Sequence, residues 1–147
     1  MIRIVVVATA LAIGVGAASP QNLDVIKERK ETMKRTGGAA GAGFKMIKGE
    51  TPFDLATAQA SLGTIIAAAS KMPTLFPDDA RTGGDTRALP AIWDDKADLD
   101  ARYAKLGQDA TAALAAVTDK ASFAAAFPPV LKNCGGCHEK YRVPDKP

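Results

Sequence analysis

A chain of 147 residues with a formal charge of +3 is long enough for one domain with a buried core. Its lysines and arginines alternate with acids instead of clustering, which argues against nucleic acid as a partner. Alanine, leucine, lysine and aspartate are abundant, while β-branched runs and aromatics are scarce, so helix is favoured throughout.

The chain opens with Arg3, an almost unbroken apolar run from Ile4 to Gly16, and the small residues Ala17 and Ala18 before Ser19-Pro20. That is the layout of a secretory signal cleaved after Ala18, leaving residues 19–147 as an exported, periplasmic domain. The run of thirteen residues is short of the roughly 20 that a membrane span needs. No later segment is apolar enough to cross, so no membrane association is expected once the leader is removed.

Four segments carry the three-and-four spacing of an amphipathic helix. The first shows Leu23, Ile26, Met33, Gly37, Ala40, Phe44 and Ile47 on one stripe, interrupted by Lys30, and Gly49 ends it. The second is expected to begin at Thr51-Pro52, a capping residue followed by proline at the first helical position. Its stripe runs Leu55, Ala58, Leu62, Ile65, Ala69 and Met72, and Pro73 stops it.

The third follows Pro90, through Ile92, Leu99, Tyr103, Leu106, Ala110, Ala113 and Val117. The fourth reads Phe123, Phe127, Val130, Cys134, Cys137 and Tyr141. Inside it, Pro128-Pro129 either bends the helix or marks its start after a short turn over 120–127. No alternating strand pattern of useful length occurs. Short links between the first and second segments, and between the third and fourth, imply antiparallel neighbours. The expected fold is an all-α, up-down-up-down four-helix bundle. The connection from Pro73 to Pro90 is longer than usual, as loops with a function or something to cover are.

All the cysteine and histidine of the chain lies in Cys134-Gly135-Gly136-Cys137-His138. A zinc site needs four ligands, and no further Cys or His is available. A redox dithiol of the thioredoxin type opens a helix after a strand, whereas this motif lies in an all-helical context. Two cysteines with an adjoining histidine are the attachment pattern for covalent haem. On a helix, Cys134 and Cys137 face the same way, so both thiols can reach the vinyl groups along one porphyrin edge. His138, four residues after Cys134, can bring its imidazole to the iron.

A four-helix bundle with this motif near its C-terminal end, followed by Tyr141-Arg142, resembles cytochrome c′ and its low-spin relatives, the class II c-type cytochromes. The resemblance extends through Leu75-Phe76-Pro77, Thr82-Gly83-Gly84-Asp85-Thr86 and Ala88-Leu89-Pro90-Ala91-Ile92-Trp93. Pro128-Pro129 departs from it. It implies one covalent haem c, redox partner proteins, and in some relatives a homodimer formed through the first two helices.

With His138 the only histidine, the far side of the iron is left to Met33, Met46 or Met72, or stands open. Met33 and Met46 are separated by about 20 Å along one helix, so they cannot serve the same iron. Bundle topology disfavours Met46 but does not choose between Met33 and Met72. The resemblance points to Met33, because the family places the residue facing the open side four after an arginine, here Arg29. The small residues Gly37 to Gly41 beyond it would leave room for a flat macrocycle.

Arg29 is expected either to pair with a haem propionate or to lie exposed against Asp24 or Glu28. Trp93 packs on the haem edge, as the resemblance implies, or is ordinary core. Arg142 either flanks His138 or complements the helix end. The reading is an exported electron carrier with a His/Met-ligated iron. The alternative is a pentacoordinate protein that binds nitric oxide or carbon monoxide. An enzyme of the peroxidase kind lacks the distal histidine for acid–base work.

Overall fold

The computed structural model describes residues 22–144. The expected leader and its cleavage after Ala18 lie outside the described residues. Among the described residues there are five α-helices: α1 Leu23–Lys48, α2 Leu55–Lys71, α3 Ala91–Asp94, α4 Lys96–Ala116 and α5 Lys120–Tyr141. No strand longer than a single bridge occurs among the described residues. The four long helices form the expected bundle, in which α2 packs against α1 and α4, and α4 packs against α5.

Most boundaries follow the local chemistry. Asn22 caps α1 by accepting the Val25 amide at 3.2 Å, and Gly49 closes it in the left-handed conformation at φ 77°. The start of α2 differs from the expected Thr51-Pro52. Asp54 is the cap, its carboxylate accepting the Thr57 amide at 2.7 Å. An aspartate is the stronger cap, and this placement frees residues 50–53 to turn the chain and set Phe53 5.9 Å from the Phe123 ring. The third segment breaks at Asp95, which leaves helical geometry to cap α4 through the Asp98 amide.

Of the two expectations for the proline pair, the structure overturns the helix start. Helix α5 does not start at Pro128. It begins at Lys120 behind a capping box of Asp119 and Ser122, and runs unbroken through Pro128-Pro129. The two missing amides leave carbonyls without their usual helical donors. Packing offsets that loss, since Phe123 and Phe127 stack at 4.7 Å and both are fully buried. Opposite them α1 presents Gly43, where a Cβ would lie 2.5 Å from the Phe127 ring. Only glycine allows α1 that close.

Between α2 and α3 the chain tightens into 3₁₀ turns at Met72–Leu75 and Asp78–Ala80. This long connection is strapped down. Asn22 N donates to Asp79 O at 2.9 Å, Leu89 N to Tyr141 O at 3.0 Å and Val143 N to Arg87 O at 2.8 Å. It therefore lies over the end of the bundle where α5 finishes.

Candidate functional site: a hollow between α1, α4 and α5

Cys134, Cys137 and His138 sit on the last turns of α5, the thiols half-buried and the imidazole exposed. They open onto two adjoining cavities. The larger, of about 330 Å³, is walled by Met72, Phe76, Ile92 and Tyr141, with basic side chains at its rim. The smaller, of about 140 Å³, is lined by Gly37, Ala40, Leu106, Cys134 and Cys137. Met33, Tyr103 and His138 border both. Thioether and imidazole, from α1 and α5, thus front the same hollow.

The other methionines are placed differently. Met72 is buried and touches only the larger cavity, while Met46 is buried and borders neither. At Gly37 an added Cβ would meet nothing within 4 Å, so the wall there is bare backbone.

Burial pushes both thiols above their usual pKa, and the Arg102 guanidinium partly offsets this for Cys137. Both are therefore protonated thiols at neutral pH. They form no disulfide. Among the described residues no group of three or more His, Cys, Asp or Glu side chains could hold a metal ion.

Arg29 corrects one of its two expectations. It is not an exposed arginine paired with Asp24 or Glu28; it is 5% exposed, and Glu28 pairs with Lys71 at 2.9 Å. Its guanidinium donates to Leu75 O at 3.0 Å, Ala80 O at 3.3 Å and Thr86 Oγ1 at 2.7 Å. It also stacks 4.7 Å from the Phe76 ring centre. Burial lowers its pKa. The group borders the larger cavity as a buried cation held by oxygen dipoles and the Phe76 ring, with no carboxylate partner among the described residues.

Trp93 stands behind that wall. Its indole N–H donates to Phe76 O at 3.1 Å and Pro77 O at 3.2 Å, and its ring meets Phe76 edge-on. Phe76 lines the cavity and Trp93 holds Phe76. Arg142 caps α5 through its amide to His138 O and reaches the rim of the larger cavity.

Two features escaped the sequence reading. Tyr103 is buried between the cavities, its hydroxyl pKa raised by burial. A polar tip on an otherwise aliphatic stripe was its signal. The second is a cluster that pins α5 to α4. Asp98 Oδ2 accepts from Arg102 Nε at 2.6 Å, Tyr141 OH at 2.6 Å and Lys140 Nζ at 3.0 Å. Arg102 also donates to Gly136 O at 3.2 Å, inside the cysteine motif. Hydrogen bonds from Arg102, Tyr141 and Lys140, in that order, hold the Asp98 carboxyl well below the usual carboxylate range.

A bundle that faces two thiols, one imidazole and one thioether into a shared apolar hollow is the framework of a c-type haem protein. The sequence profile of the family described as cytochrome c′ matches residues 24–142. Cytochrome c′ of Rhodopseudomonas palustris is 45% identical over 142 residues, covering 97% of both chains. Cytochrome c-556 of Agrobacterium fabrum is 42% identical over 119 residues, 80% of each. The solved structure of the R. palustris cytochrome c′ superposes with a TM-score of 0.81 at 46% identity, covering 84% of this chain and 98% of that one.

The chain belongs to the cytochrome c′ family. With that membership goes one covalently attached haem c. The hollow fits such a group, with apolar walls, a glycine face on α1, and thiols and imidazole on a single helix end.

Proposed function

We propose that this chain is an exported, periplasmic electron carrier whose iron is held by His138 on one side and Met33 on the other. The observation behind this is that Met33 and His138, with Tyr103, are the side chains that line both cavities, and a thioether and an imidazole are the ligand pair of low-spin electron-carrying haems. Cys134 and Cys137 would hold the haem through thioether bonds. When bound, the haem supplies one-electron chemistry at its iron.

The protein's own residues shape the rest. Met72, Phe76, Ile92 and Leu106 exclude water from the hollow. The buried charge of Arg29 favours the electron-rich state and can meet a propionate at the rim. Trp93 supports the cavity edge through Phe76, and Arg142 flanks His138 at the helix end. A second histidine for acid–base work does not exist in the chain, so catalysis of the peroxidase type is not proposed.

Absorption spectra of the ferric and ferrous protein test the ligation. The expected ferric form is low-spin, with a weak sulfur-to-iron charge-transfer band towards the red. Met33→Leu should cost under about 1.5 kcal/mol of packing, yet give a five-coordinate, high-spin iron of lower potential. Met72→Leu should stay low-spin. A high-spin wild type would move the reading to an open-site protein that binds nitric oxide or carbon monoxide.

A further inference from the structure

Lys27, Lys30 and Lys34 follow one another at three- and four-residue steps down one side of α1, and all three are exposed. With Leu23, Glu31 and Gly84 they line a shallow groove. Lys30 and Lys34 also line the larger haem cavity, so the groove runs into its mouth. Leu23 is 51% exposed at the groove's far end, an apolar side chain bordered by lysines.

The lysines of this patch have no carboxylate partner among the described residues, although Glu31 lies in the groove. Several other cations at this end of the bundle are paired. Lys71 pairs with Glu28, Lys96 with Asp100, Arg102 with Asp98, and Lys140 with Asp95 and Asp98. Among the described residues no carboxylate pairs with Lys27, Lys30 or Lys34; Lys30 donates to a carbonyl, Gly84 O, at 3.1 Å. Behind the patch, Arg29 adds a buried positive charge held only by carbonyls and a hydroxyl. Exposed charges left unpaired at one edge of a redox cavity act on what approaches it.

We propose that this face of α1 is the docking surface for a redox partner protein that carries carboxylates around its own redox centre. The proposal rests on the electron-transfer reading. Partner carboxylates meet Lys27, Lys30 and Lys34, an apolar partner residue covers Leu23, and transfer occurs where the groove enters the cavity. One electron moves, so that one protein is oxidised as the other is reduced, and no bond is made or broken. Glu31 within the groove favours a partner of mixed charge pattern over a uniformly anionic surface such as a lipid headgroup layer. It also fixes the register of docking.

The test uses the haem-loaded protein and two small oxidants of opposite charge, ferricyanide and tris(phenanthroline)cobalt(III). Lys27→Glu/Lys34→Glu is compared with Lys45→Glu/Lys48→Glu, which makes the same change of net charge about 24 Å away along α1. Wild type should oxidise faster with ferricyanide at low salt. That advantage should fade between roughly 0.01 M and 1 M salt, as the screening length drops from about 30 Å to about 3 Å. Lys27→Glu/Lys34→Glu should shift the ratio of the two rates about tenfold towards the cationic reagent, and Lys45→Glu/Lys48→Glu far less.

Equal shifts in both variants would mean that net charge alone acts, and would overturn the proposal. Binding of wild type, but not of Lys27→Glu/Lys34→Glu, to phosphatidylglycerol vesicles would reassign the face to lipid. Failure of both reagents to oxidise the wild type would instead refute the carrier reading itself.

Discussion

The two ends of the bundle are built on opposite principles. At the end where α1 meets α2, Phe123 and Phe127 stack beneath Gly43 and Phe53, so side chains fill the space. At the other end the helices surround a hollow, and polar pins hold its walls apart. Arg29 clamps three oxygens of the α2–α3 connection, and Asp98 gathers Arg102, Lys140 and Tyr141. The filled end carries its own packing. The hollow end depends on the haem to supply it.

The strongest way to break this contrast is to withhold the haem. Cys134→Ala/Cys137→Ala should leave no haem resistant to acid-acetone extraction, which mass spectrometry of the purified protein checks. Hydrogen exchange in that variant should rise most around α3, the start of α4 and the end of α5, while amides near Phe123 and Phe127 keep the greater protection. Uniform exchange along the chain would show that the two ends do not differ.

Damage to the filled end should come next. Phe127→Ala removes a fully buried ring and should cost about 3–5 kcal/mol in denaturant unfolding of the holoprotein, with little change in the absorption spectrum.

Arg29→Met should cost less, on the order of 1–3 kcal/mol, because Leu75 O, Ala80 O and Thr86 Oγ1 lose their buried donor. Unlike Phe127→Ala, it should also lower the reduction potential, since a buried positive charge is removed. A potential that does not move would show that the cation is insulated from the iron.

Asp98→Asn should give the smallest effect, and it is resolved by pH. The folded-state pKa of Asp98 is depressed, so its contribution is complete above the ordinary carboxylate value near 3.9 and disappears as pH falls through the lowered folded value. The variant should therefore be the less stable at pH 7, and the gap to wild type should close on acidification. A constant gap would mean that the hydrogen bonds matter and the charge does not.

The four long helices and the haem motif were legible because each is written in local spacing: apolar residues at three and four, and two cysteines and a histidine within one helical turn and a half. The misses have a common cause. Asp54 displaced Thr51 as the cap because Phe53 had to reach Phe123, a contact 70 residues away in sequence. Pro128-Pro129 sit inside a helix because aromatic packing against Gly43 holds them there. Arg29 is buried because two carbonyls and a hydroxyl from residues 75–86, in the connection between α2 and α3, converge on it. Spacing along one element carries no record of a partner contributed by another.

The bridge between Ala88 and Arg142 has a consequence for motion. It is a single rung of two backbone hydrogen bonds, joined by the Arg87 guanidinium donating to Val143 O at 2.6 Å, with no longer strand beside it among the described residues. An isolated rung of this kind opens and recloses without unfolding of the helices beside it, at the low end of the protein's range of local opening free energies. Each opening loosens the last turn of α5 from the connection lying over it, and so lets the wall beside His138 breathe. Movement of that wall is then expected on the timescale of local opening, which is shorter than the lifetime of the fold.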